Sequence, residues 1–332
     1  MISNQAWGWF APEDLQVTST SRFRVLALCG LLLSGFWSGA ALSATGSFQQ
    51  SVPVDGPILL DVSTGSGSVT ISPGNADRIE ITGHIKVSSR SFLGLFRRRS
   101  SDDAQEMVRK FENDPPVELL NGQLKVGHIK DKAYRRNVSI SYEIVVPANT
   151  EVKSHTGSGS QSITGVIGPV EAGTGSGKVT LTDIGGAVNA RTGSGAIRAN
   201  AIAGAFEAHT GSGSVRLTQV APGDVIVSTG SGSSVLHGVV GALRVKAGSG
   251  RIEIDGQQEG AWNIDTGSGS VSIKLPEDAA FELDAQTGSG GITIDHPLTI
   301  QGKISKKHMR GDVRGGGELL TIETGSGGIR IE

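Results

Sequence analysis

Apolar residues in this chain recur as two short alternating runs on either side of a Gly-Ser-Gly step. Counting from a threonine as zero, position −4 is Leu60, Val152, Val170, Val188, Phe206, Val225, Leu243, Trp262, Leu283 and Leu320, apolar every time. Position −2 is Val62, Ser154, Ala172, Ala190, Ala208, Val227, Val245, Ile264, Ala285 and Ile322. Positions +5 and +7 are mostly Val, Ile or Leu, as in Val179/Leu181, Val215/Leu217, Ile252/Ile254 and Val271/Ile273. Polar residues such as Glu171, Asn189, Glu207, Arg198, Arg216, Glu253 and Lys274 fall between them. This period of two predicts two short strands per unit, each with one buried and one wet face. A further aliphatic at +10 (Val166, Ile184, Ile202, Val220, Val239), followed by Gly168, Gly185, Gly204 or Gly241, predicts a return corner.

The unit is marked by Thr-Gly-Ser-Gly at Thr64, Thr156, Thr174, Thr192, Thr210, Thr229, Thr266, Thr287 and Thr324, with Ala-Gly-Ser-Gly at Ala247. From Thr156 to Thr287 the spacings run 18, 18, 18, 19, 18, 19 and 21 residues. A short fixed period predicts units that stack each on the next. The fold class is therefore all-β, a single-stranded parallel β-solenoid of about 18 residues per coil, with a right hand favoured by strand twist. The tetrapeptide is the corner between the two strands. Glycine is expected there for positive φ and because coils stacked about 4.8 Å apart leave little room for side chains. Stacked threonines and serines are expected to form hydroxyl ladders. A left-handed hexapeptide helix also has 18 residues per coil but needs an aliphatic every sixth residue; stepping from Val179 reaches Gly185, Arg191 and Ile197, so that register fails.

The repeat is interrupted twice. Between Thr64 and Thr156, strand-like runs at residues 78–87, 122–129 and 138–146 flank a polar segment, 101–113, with Met107, Val108 and Phe111 at helical spacing. This predicts an end cap of several strands and one helix, with residues 85–137 as its insert. The gap from Thr287 to Thr324 predicts a motif-less coil or a hairpin over residues 296–317, since solenoid ends need covering. The domain expectation is a leader with signal peptide or membrane anchor over residues 1–44 and a solenoid over 45–332.

Composition adds a compartment. Residues 25–44 are apolar, follow Arg22 and Arg24 and close on Ala41-Leu42-Ser43, which reads as a secretory signal peptide or as an uncleaved anchor. The only cysteine, Cys29, lies inside that stretch after the bulky Leu28, so the mature chain offers no disulfide or thiol chemistry. With 30 basic and 32 acidic residues interspersed, no electrostatic footprint for nucleic acid is present.

Chemical motifs resolve into structure. Residues 172–179 (AGTGSGKV) resemble a phosphate-binding loop, but Ala172 and Val179 occupy the positions of its leading glycine and its hydroxyl residue. No corner carries the aspartates of calcium-binding glycine repeats, Asp265 merely preceding one copy, and no serine sits in Gly-x-Ser-x-Gly. His155, His209 and His237 read as solvated surface without zinc-ligand spacing. Asp255, Asp265, Asp284 and Asp295 face outward but shift position from coil to coil, unlike the clustered carboxylates of sugar-cleaving β-helices. Arg310-Gly311-Asp312 is an integrin-type tripeptide in an expected loop, read as coincidence. Residues 92–99 (FLGLFRRR) have a membrane-interface composition, with cover for the solenoid end as the plainer reading. No catalytic, cofactor or metal residue is assigned.

A signal-like start, a strand and helix insert ending in Tyr142-Glu143-Ile144-Val145-Val146-Pro147, and serial coils of the form Gly-x-Val-x-Ala-x-Thr-Gly-Ser-Gly-x-Val-x-Leu together resemble the bacterial "putative adhesin" family of domains of unknown function, over about residues 52–332. The resemblance implies a cell-envelope β-solenoid and carries no catalytic residues. The expectation is a non-enzymatic exported binding or scaffold module, in the periplasm or at the cell surface, whose partner is an envelope polysaccharide or another envelope protein, with membrane contact open through the apolar segment or the 92–99 loop. The competing readings are a polysaccharide lyase or hydrolase on the same scaffold, and a self-assembling structural filament.

Overall fold

Each unit folds as the alternation requires, a strand, a corner on the tetrapeptide, a second strand and a return. The computed structural model describes residues 44–87, 101–300 and 305–332. The signal-like segment with Cys29 and the 92–99 loop lie outside the described residues. In the central coils the strands Val170–Thr174, Val188–Thr192, Phe206–Thr210 and Val225–Thr229 pair in parallel with Val170 opposite Val188, Val188 opposite Phe206 and Phe206 opposite Val225. The second strands, Val179–Ile184, Ile197–Ile202 and Val215–Gln219, form the matching column. Positions −4, −2, +5 and +7 are buried as their alternation predicts: Val170, Ala172, Val179 and Leu181 are at most 2% exposed. At about 1.5–3 kcal/mol for each large aliphatic buried, these columns supply the main drive for stacking. The bulkiest of the −4 residues, Trp262, is fully buried and satisfies its indole by donating Nε1–H to Gly241 O at 2.9 Å.

The corner differs from expectation in two respects. None of Gly175, Gly177, Gly193, Gly195, Gly211 or Gly213 has φ in the left-handed region. Glycine is required by proximity: a Cβ at Gly177 would stand 1.8 Å from Gly159 O, and one at Gly195 would stand 1.7 Å from Gly177 O. The threonines do not form a hydroxyl ladder either, because all but Thr266, whose buried Oγ1 has no partner, bond to backbone. Thr174 Oγ1 donates to Gly159 O of the preceding coil (3.0 Å) and accepts from Gly177 N–H of its own corner (3.0 Å). Thr156, Thr192, Thr210 and Thr229 repeat this two-sided clamp. One serine pair, Ser289 and Ser326, does meet at 3.2 Å. From Ala247 onward the corner changes: strands run on to Ser249, Ser268 and Ser326, and Gly250 and Gly269 N–H donate forward to Ser268 O and Ser326 O.

The return corner also differs. Its positive φ falls one residue before the +10 position, at Gly165, Asp183, Ala201 and Gly238, while Gly168, Gly186 and Gly204 are glycine because each sits against the backbone of the coil below. Val166, Ile184, Ile202 and Val239 are buried, but Val220 is 61% exposed. The extra residue of that 19-residue coil puts Gln219 opposite Ile202 instead. Buried, Gln219 donates from Nε2 to Gly223 O (2.8 Å) and accepts from Val240 N–H (3.4 Å).

Both ends depart from simple order. At the amino end Leu59–Thr64 stacks directly on Glu151–Thr156, with Thr64 opposite Thr156, so the long insert does not come between them but adds a closing layer on the far side. There Gln123–Val126 pairs with Leu59–Thr64 and turns antiparallel to Val117–Leu120, while Arg78–Val87 lies antiparallel between Ala44–Pro53 and Val138–Val146. The helix Ser101–Asn113 packs on Ala44–Pro53 and Arg78–Val87 through Met107, Val108 and Phe111. A second short helix, Lys132–Asn137, is additional to the one predicted; its Tyr134 meets Phe111 edge to face at 5.7 Å. At the carboxyl end the coils are out of chain order: Glu318–Ser326 lies between Ile252–Ser268 and Phe281–Thr287, parallel to both. The gap before it is a hairpin, Leu298–Ile300 against His308–Val313, the latter also antiparallel to Phe281–Thr287.

Candidate functional site

Position −1, the last outward residue before each corner, forms a column across the stack: His155, Gly173, Arg191, His209, Ser228, Lys246 and Asp265. With Asp61 and Lys153 at its amino-terminal end, this column borders one groove of 880 Å³ crossing eight successive coils. At about 4.8 Å per coil that is a run of roughly 34 Å. The groove exists because the corner cannot carry side chains. Gly193, Gly211, Gly230 and Gly248 line it, and a Cβ on any of them would come within 2.3 to 2.5 Å of the glycine carbonyl oxygen one coil below. Gly173 deepens the gap: a Cβ there would meet the His155 imidazole at 2.8 Å, so the ring lies over a bare backbone.

Its charge is ordered along the axis. Between His155 and Lys246 the −1 column contains no carboxylate; Asp265 ends it on one side, and Asp61 at the other end of the groove and Glu171 are both set at −3. Glu207, also at −3, ties the centre together. It pairs with His209 Nε2 at 2.7 Å and Arg191 at 3.7 Å, and accepts from Asn189 Nδ2 at 3.2 Å. The His209 hydrogen bond, with Arg191 beside it, holds the Glu207 carboxyl below its ordinary range. Asp61 is likewise engaged, accepting from Gln123 (3.1 Å) and pairing with His128 (3.0 Å).

Of the residues singled out from sequence, His155, His209 and Asp265 meet in this groove. His237 does not; it pairs with Asp255 on another face. Asp284 pairs with His308 (2.9 Å) and Asp295 with Arg330 (3.6 Å), so these carboxylates are dispersed into separate ion pairs. Among the described residues no three His, Cys, Asp or Glu side chains converge where an ion could sit. The phosphate-loop look-alike has its Gly177 N–H turned inward to Thr174 Oγ1, away from any ligand. Arg310-Gly311-Asp312 is not in a loop. It lies within the strand His308–Val313, paired on both sides, with Arg310 bonded to Glu282 at 3.2 Å. Lys153, Arg191 and Lys246 were not picked out from sequence, although writing the −1 and −3 columns coil by coil would have exposed them.

An all-β stack of coils with a long groove floored by the repeat motif itself defines a repeat-built, solenoid-like protein class. The chain belongs to the Toastrack DUF4097 family, whose model matches residues 57–332. Two solved structures are similar to it: a putative cell adhesion protein from Clostridium sporogenes ATCC 15579, at 14% identity over 86% of this chain and 99% of that one with a TM-score of 0.18, and a putative adhesin from Bacteroides fragilis NCTC 9343, at 10% identity over 86% and 97% with a TM-score of 0.31. No curated protein matches the chain. Among the described residues no helix is long and apolar enough to cross a membrane.

Proposed function

We propose that this chain is a non-enzymatic, exported cell-envelope module, a right-handed parallel solenoid of about 18 residues per coil, whose groove holds an extended envelope polymer. The observation that carries the reading is the groove's continuity: it presents an outward −1 position from coil after coil, most of them polar and ionisable, with no focus at which one bond would be cleaved. A polysaccharide hydrolase needs carboxylates facing one another across a sugar, about 5 to 9.5 Å apart. Here Asp61 is engaged by Gln123 and His128, and Asp265 lies five coils from Glu171. Export rests on the apolar segment at residues 25–44 and its basic flank.

The test is co-sedimentation of the purified protein with peptidoglycan sacculi, outer-membrane polysaccharide and capsular polysaccharide, alongside the double variant Arg191→Glu, Lys246→Glu. The expected result is retention of the native protein by at least one polymer and its loss in the variant. Retention by none, or equal retention of both proteins, would defeat the proposal.

A further inference from the structure

A second cavity, of 590 Å³, lies in the amino-terminal cap between the Ser63–Gly65 corner, the hairpin of Val117–Leu120 and Gln123–Val126, and the strand Val138–Val146. That volume falls within the range of about 300 to 1,000 Å³ usual for small-molecule sites. Tyr142 lines it and is 1% exposed, its ring edge-on to Phe48 at 6.4 Å. Its hydroxyl has no hydrogen-bond partner. Burial pushes its pKa well above the ordinary phenol value, so the hydroxyl remains a donor. A buried hydroxyl left unpaired calls for an explanation, since most buried polar atoms have a partner.

The wall beside that hydroxyl is kept bare. Gly127 has φ of 77°, and a Cβ there would stand 2.2 Å from Ser63 O and 2.8 Å from Tyr142 Oη. Lys125 and His155 also line the cavity, and among the described residues neither makes an ion pair or hydrogen bond. Lys125 and Lys130 line the cavity against one carboxylate, Glu118, which pairs with Lys130 at 3.4 Å and stands opposite Lys125 across the hairpin, so the lining carries a net positive charge although Asp61 flanks Lys125 on the neighbouring strand. Apolar Leu120, Ile129 and Ile140 complete the lining, so the cavity offers a hydrophobic wall, a neutral donor and a cation together.

We propose that this cap cavity is a binding site for a sugar-sized organic anion bearing a carboxylate or phosphate, with Tyr142 Oη donating to the ligand and Lys125 balancing its charge. The site adjoins the groove at His155, which lines both, but it contains neither Arg191 nor Lys246, so the two readings can fail separately. Its test is calorimetric and ligand-observed NMR titration of the full chain, at low ionic strength, with glucuronate, glucose 1-phosphate and glucose as probes. Expected is saturable millimolar binding of at least one anion, with glucose inert, weakened fivefold or more by Tyr142→Phe and by Lys125→Gln and unchanged by Arg191→Ser. Which anion binds separates the carboxylate source from the phosphate source. Three results would overturn the site: no anion binding up to tens of millimolar, meaning the hydroxyl is met only by water; binding indifferent to Tyr142→Phe; or binding removed by Arg191→Ser, which would place the probe in the groove. Should Tyr142→Phe fail to fold, Lys125→Gln decides in the same way.

Discussion

The same substitution at two copies of the motif should have opposite signs. Thr192 is 6% exposed; its Oγ1 donates to Gly177 O at 3.2 Å and accepts from Gly195 N–H at 3.0 Å. Valine has nearly the same shape but neither function, so Thr192→Val orphans one carbonyl and one N–H at a crowded corner. Unpaired backbone groups of this kind cost about 1–3 kcal/mol for the donor and somewhat less for a carbonyl, giving about 2–4 kcal/mol together. The extra buried methyl returns up to about 1 kcal/mol, leaving a net loss of about 1–3 kcal/mol and a fall in Tm of roughly 3–10 °C. Thr266 is 1% exposed, occupies the same motif position and has an Oγ1 with no partner. There Thr266→Val removes an unsatisfied hydroxyl and should be neutral or stabilising by up to about 1 kcal/mol. Thr70→Val, on an exposed strand position, is the control for propensity alone. Calorimetric melting of the three variants decides. Equal effects at 192 and 266, or a Thr192→Val protein as stable as the parent, would refute the clamp.

Gly177→Ala should cost several kcal/mol although its φ is ordinary, because the new Cβ would stand 1.8 Å from Gly159 O, whereas Gly56→Ala, with φ of 90° and open space, should cost only about 1–2 kcal/mol of backbone strain, both read by denaturant unfolding. Deleting residues 318–332 should leave Ile252–Ser268 and Phe281–Thr287 without the strand that joins them, and size-exclusion chromatography should show aggregates or mixed oligomers in place of one species. Because the Glu207 carboxyl is held below its ordinary range, its contribution to stability is complete above an unfolded value of about 4.3 and is lost as pH falls through its lower folded value. Glu207→Gln should flatten that part of the acid limb in a stability-against-pH series, modestly, since the carboxylate is partly solvated.

The coil was legible in the sequence because its buried positions repeat in phase, and Val170, Ala172, Val179 and Leu181 could be placed inward from alternation alone. The helix over 101–113 and the strands over 78–87 and 138–146 were legible for the same reason. The reason for the glycines was only half legible, since steric crowding and positive φ select the same residue and only coordinates separate them. Gln219 was hidden because a 19-residue coil announces one extra residue without saying where it goes. The place of the last coil was hidden more deeply: Thr324 carries the same tetrapeptide as the other threonine copies, and its neighbours are chosen by the hairpin at 298–313. The groove escaped notice because its side chains vary in type from coil to coil, and what they share is a column rather than a motif. The cap cavity had no sequence signal, because Tyr142 alternates like any core residue of its strand.

The inserted final coil also sets a clock on folding. Solenoids can grow coil by coil as a chain emerges, but here the stack must halt after Ser268 and hold a vacant slot while the next 49 residues arrive, until Glu318 begins the strand that fills it. During that wait two strand edges are exposed, and the matching strand of a second molecule fits them as well as the chain's own. The protein thus carries a built-in test of completeness: a chain that stops early exposes the edges by which other chains, or a protease, would find it.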